Sequence, residues 1–125
     1  MKIYIGSFKD MSRYRKNYTP IAISSGVPGW YTGKRYKKLA PPYDLMINYR
    51  HVNDCDEEDE IGYIKEYCQS VLSYLNPKDV YVDLEKLSDG KDVVLITQES
   101  SQEFSHRILV CAWLNNAGIE CEEII

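Results

Sequence analysis

The chain has 125 residues, 44% of them hydrophobic and 27% charged, a balance that suits one soluble globular domain able to bury its own core. No apolar run approaches the roughly 20 residues that span a bilayer, which excludes a membrane-crossing helix, and MKIYIGSFKD meets Gly, Ser and charge too early for a secretory leader. The net charge of −4 hides a split: residues 1–51 carry ten Lys or Arg against two acids, +8, and residues 52–125 carry five against seventeen, −12.

Such asymmetry marks either an anion-binding face or two halves that fold into neutralising pairs. Cys55, Cys68, Cys111 and Cys121 are too widely spaced for CxxC motifs and read as free thiols of a reducing compartment. The expectation is a single cytoplasmic domain over residues 1–125.

In KIYIGSF, Ile3 and Ile5 alternate with Lys2 and Tyr4, and β-branched and aromatic residues predict a first strand. The basic loop MSRYRKNY leads to TPIAISS, where Ile21, Ala22 and Ile23 form the continuous apolar run of a strand covered on both faces. Residues 25–42 hold three Gly and three Pro, which predicts a shaped loop with one helical turn around Tyr36 to Leu39. Loops of this length in a compact domain are functional or disordered, and Trp30, Tyr31 and Tyr36 favour order. PYDLMINYR then predicts a short helix opened by Pro42, with Leu45 and Met46 inward.

DCDEEDE places six acids between Asp54 and Glu60, ahead of Ile61, Ile64, Cys68, Val71, Leu72 and Leu75, an apolar stripe at helical spacing. Acids there complement the positive end of the helix dipole, and the run lacks the Gly and spacing of an EF-hand loop. Asn76-Pro77 starts another helix, with Val80, Leu84 and Leu87 inside and a stop at Gly90. DVVLIT, residues 92–97, predicts a central strand. A helix from Ser105 to Asn116 follows, burying Ile108, Cys111 and Leu114 and closing with a left-handed cap at Gly118. IECEEI ends the chain as an edge strand, given its charged alternate residues. Strands separated by helices pair in parallel through right-handed crossovers. The expected fold is a small three-layer α/β domain, with a mostly parallel sheet of about four strands flanked by helices.

Two blocks carry a resemblance across most of the chain. Pro28, Trp30, Tyr36, Leu39, Ala40 and Pro41 have the sense P-x-W…Y-x-x-LAP; far downstream come Thr97 and Glu99 at a strand end, Ser105-His106-Arg107 at a helix start, and Gly118 at that helix's close. This ordered pair resembles the domain of unknown function family 488. The resemblance implies an α/β fold. Members commonly have Cys where this chain has Thr97 and Ser105, so it implies no thiol or metal chemistry at those two positions.

In open parallel sheets, ligands gather beyond the carboxyl ends of strands, where loops meet helix N-termini. Thr97, Glu99, Ser105, His106 and Arg107 belong to such a place. The helix start attracts an anion, and Arg107 grips phosphate or carboxylate with two N–H bonds. Lys34 and Arg35, with Lys37 and Lys38, supply a second positive wall if the loop folds over that edge, and Trp30 or Tyr36 would then stack on a base. The leading expectation is a module for a phosphate-bearing ligand, a nucleotide or nucleic acid, with no cofactor and no metal.

Two alternatives stay open. One is a hydrolase of phosphoryl or glycosyl type in which His106 or Glu99 moves a proton and Arg107 stabilises developing charge, although no nucleophile with a base is evident. The other is a protein-interaction or inhibitor module using eleven Tyr, Trp30 and Trp113. Plainer roles stand beside each residue: Ser100 and Glu103 have capping-box spacing, Ser105 is an N-cap candidate, Arg107 can pair with an acid, and Trp30 and Tyr36 can pin the loop.

Overall fold

Five strands make one sheet in the computed structural model, which describes residues 1–14, 16–48, 57–99 and 104–124. They are β1 (Ile3–Ser7), β2 (Tyr18–Ala22), β3 (Lys34–Arg35), β4 (Asp92–Thr97) and β5 (Cys121–Glu123), in spatial order β3-β2-β4-β1-β5. Every pairing is parallel. The apolar DVVLIT strand takes the centre as its composition predicts, with Val93 opposite Ile3 on one side and Thr19 on the other. One strand more than the expected four is present. It is the two-residue β3, which pairs Lys34 with Ile21 and Arg35 with Ala22 inside a loop whose Gly and Pro density signals irregular chain.

The helices are α1 (Tyr43–Asn48), α2 (Glu57–Ser70), α3 (Pro77–Leu87) and α4 (His106–Asn116). One sheet face, bearing Ile3, Ile5, Ile21, Val93 and Leu95, packs on Tyr67, Leu84, Val110 and Leu114 of α2, α3 and α4. The other face, with Ala22, Val94 and Ile96, is covered by Phe8, Tyr14 and Tyr31. Those aromatics come from a 3-10 segment, Phe8–Arg13, the residues after it, and the Gly/Pro loop. The third layer is therefore thin, and Gly6 explains how it lies so close. A Cβ at Gly6 would stand 2.8 Å from Cζ of Tyr14, so only bare backbone lets that ring rest on β1, where its hydroxyl accepts the Ser7 N–H at 3.2 Å.

Two predicted helix faces are rotated. On α2, Tyr63, Tyr67 and then Val71 are buried, whereas Ile61 is 48% exposed. A tyrosine pair is amphipathic, and the Tyr67 hydroxyl is satisfied inside the protein by the Leu39 carbonyl at 2.6 Å, so aromatic area outweighs the aliphatic stripe. On α4, the buried side chains are His106, Arg107, Val110 and Leu114, while Ile108 is 39% exposed and Cys111 half-buried. Turning Arg107 inward fixes that phase, because positions three, four and seven residues on share its face.

The punctuation agrees with the sequence. Asn76 caps α3 by accepting the Lys78 N–H at 2.9 Å ahead of Pro77, and Gly90 and Gly118 adopt positive φ at +78° and +80°. The two charge halves also interleave: Lys34 meets Asp89 at 2.6 Å, Lys38 meets Asp83 at 3.6 Å, and Lys2 meets Glu122 at 3.0 Å. The side chain of Met46, the first residues of the acid run and the Ser100–Glu103 capping pair lie outside the described residues.

Candidate functional site

The chain leaving β4 passes to the face that holds α4, whereas the chains leaving its two neighbours, β1 and β2, pass to the face covered by Phe8, Tyr14 and Tyr31. Adjacent parallel strands whose connections part to opposite faces leave a crevice at their carboxyl ends. Thr97, the last residue of β4, stands at that point, and Ser105, His106 and Arg107 close over it from the start of α4.

Arg107 is completely buried. Its Nη1 donates to Thr97 Oγ1 at 2.6 Å and to the Glu99 carbonyl at 3.1 Å, and its Nη2 lies 3.7 Å from Oε1 of Glu123 on β5. Ser105 has the extended backbone of an N-cap, but its side chain does not cap. It turns to the strand instead, 2.9 Å from Thr97 Oγ1. Thr97 Oγ1 thus receives two donors while retaining a hydrogen of its own. If the Ser–Thr bond runs the other way, the leftover hydrogen belongs to Ser105; either way the group is rich in donors.

His106 anchors the neighbouring strand end, with Nε2 2.8 Å from the Ile23 carbonyl and its ring 5.4 Å from that of Tyr67. A carbonyl can only accept, so Nε2 carries the hydrogen. Burial, helped by the Arg107 charge and opposed by the Ile23 bond, pushes the imidazole pKa down to about 4. The ring is neutral at pH 7. Burial also raises the Tyr63 hydroxyl, and the nearby Glu99 carboxylate adds to the rise.

The expected second wall divides. Arg35 reaches the rim, donating Nη2 to the Ser25 carbonyl at 3.0 Å just beyond the strand end that His106 grips, and Gln98 ties Gly26 to the end of β4 at 3.2 Å. Trp30 is 53% exposed and packs edge-on against Phe8, the residue that follows β1. Lys34, by contrast, is held by the Leu87 carbonyl and Asp89, and Lys38 by Asp83, both at the α3 side. Tyr36 is buried with its hydroxyl on Asp83 at 2.6 Å, so it pins the loop rather than offering a stacking face. That bond, together with Lys38, holds the Asp83 carboxyl below its ordinary value.

Glu123 is the rim residue that sequence reasoning misses. The signal is there in hindsight, since strand alternation puts it on the same face as the buried Cys121. Among the described residues, no group of three or more His, Cys, Asp or Glu side chains is placed to hold a metal ion, and no helix is long and apolar enough to cross a membrane.

A family model, DUF488-N3a, described as the active DUF488-N3 subclade, matches residues 10–118. The chain belongs to this family. No curated protein and no solved structure matches it. The span matched to DUF488-N3a takes in Thr97, Ser105, His106 and Arg107 and stops before Glu123. This DUF488 protein therefore completes its buried Arg107 site with a carboxylate from beyond the matched span.

Proposed function

We propose that the chain binds a phosphate-bearing ligand, a nucleotide or the phosphate of a nucleic acid, at the carboxyl rim of its sheet. The observation that carries this reading is the buried Arg107 at the first turn of α4, set where the connections of the central strands part. Helix N–H groups and the donor-rich Thr97–Ser105 pair favour an acceptor-rich anion there. Arg35 adds a second positive group and Trp30 an exposed aromatic face.

Binding of single-stranded oligonucleotides and nucleotides is measured by fluorescence anisotropy across a salt series. Arg35→Ala is expected to weaken binding and make the salt dependence shallower by about 0.7, whereas Lys38→Ala, on the α3 side, leaves both unchanged. Arg107→Lys keeps the charge but loses the planar fork, and binding falls about tenfold or more. Equal behaviour of all three variants and the parent would remove the rim from this role.

The description of the matched subclade as active favours a second reading, hydrolysis of a phosphoryl or glycosyl bond at the same rim. With His106 neutral and its Nε2 committed to Ile23, Glu99 is the better proton carrier and Arg107 the charge stabiliser. Turnover of nucleotides and phosphate esters should then fall at least about a hundredfold in Glu99→Gln while ligand binding persists. Unchanged rates would exclude Glu99 from the chemistry.

A further inference from the structure

One face of α4 lies along β5. Arg107, Cys111 and Asn115 recur every four residues and so share a side of the helix, and Cys121 and Glu123 share a side of the strand. The contacts follow this register. Asn115 accepts the Cys121 N–H at 2.9 Å and donates to the Cys121 carbonyl at 3.0 Å, while Cys111 Sγ donates to the same carbonyl at 3.3 Å. The Asn115 amide also lies 3.7 Å from Cys111 Sγ. Cys111 is half-buried, open in part to solvent, and Cys121 is buried beneath it.

We propose that Cys111 and Cys121 form a redox-responsive thiol pair that closes to a disulfide when the protein meets a peroxide. The exposed member is also the better nucleophile. The neighbouring Cys121 thiol holds the Cys111 thiol below its ordinary value, and Cys111, together with burial, pushes Cys121 up. In the first step the Cys111 thiolate attacks one peroxide oxygen. The S–O bond forms, the O–O bond breaks, and the departing hydroxide takes up the proton released by Cys111, leaving as water. A sulfenic acid remains on Cys111. The Cys121 sulfur then gives up its proton and attacks the Cys111 sulfur; the S–S bond forms, the S–O bond breaks, and a second water leaves. Two thiols lose two protons and two electrons, and the peroxide receives both.

The bridge would lie one helical turn from Arg107 and two residues before Glu123, tying together the two elements that carry this partly buried ion pair. It does not depend on what the rim binds.

The folded chain is treated with a small excess of hydrogen peroxide, alkylated, digested and mapped by mass spectrometry. The protein is expected to form no disulfide between chains, to lose two of its four thiols, and to yield a Cys111–Cys121 cross-linked peptide that a dithiol reductant reverses. Cys121→Ser should stop at a sulfenic acid on Cys111 that dimedone traps, and Cys111→Ser should give neither product. A wild-type disulfide joining other cysteines, over-oxidation of Cys111 with no cross-link, or no reaction at Cys111 would each overturn the proposal.

Discussion

Acidification through the window from pH 6.5 to about 4 is expected to cost the protein roughly 3 kcal/mol of stability on account of His106 alone. In the unfolded chain this imidazole takes up a proton near 6.5; in the folded chain burial, with Arg107 beside it, delays protonation to about 4. Between those values the unfolded state binds more protons, so stability rises with pH across the window. The contribution is fully present above pH 6.5, declines below it, and is wholly lost near pH 4. Each pH decade of mismatch amounts to about 1.4 kcal/mol. Urea titrations at neutral pH and near pH 4 measure the difference. His106→Gln keeps an N–H donor for the Ile23 carbonyl but cannot be protonated, so its stability should be flatter over the same range. Parallel curves for the two proteins would show that the ring does not control the acid response.

Arg107→Met is expected to destabilise the fold by about 3–5 kcal/mol. Methionine fills much of the same volume, so the loss reports interactions rather than a cavity. Thr97 Oγ1 and the Glu99 carbonyl each lose a donor, and the Glu123 carboxylate, whose buried Oε1 accepts no hydrogen bond, loses the positive charge 3.7 Å away. The Glu123 carboxylate, one oxygen buried though the side chain is partly exposed, adds to that cost when its counter-charge is gone. The double variant Arg107→Met, Glu123→Gln should therefore recover part of it, a coupling that a double-mutant cycle in urea reads directly. Strict additivity of the two single changes would mean that the pair contributes no coupling, and the cost would rest on packing and on the bonds to Thr97 and the Glu99 carbonyl.

Much of the scaffold is legible in the residues. β-branched density places DVVLIT at the centre of the sheet, charged alternation places β5 at its edge, and Asn76-Pro77, Gly90 and Gly118 mark the ends of α3 and α4. The proximity of Thr97, Ser105, His106 and Arg107 is legible too, because a strand end and the next helix start are neighbours in chain and space. What fails has a common cause. The inward face of α2 belongs to Tyr63 and Tyr67, and that of α4 begins with an arginine, so a rule that buries aliphatic residues rotates both helices away from their true faces. Partners far apart in sequence are the other gap. Nothing local pairs Lys34 with Asp89, Tyr36 with Asp83 or Glu123 with Arg107; strand order decides those.

The sheet margins carry one more consequence. β3 contributes two residues and β5 three, so either side leaves very few open N–H and C=O groups for another chain to copy. β5 adds Glu122 on its outward side, which would meet a like charge in any second copy aligned in register. Margins so brief and so charged disfavour strand-by-strand stacking of whole molecules, and they protect a protein whose all-parallel sheet must assemble from distant segments against aggregating while it folds.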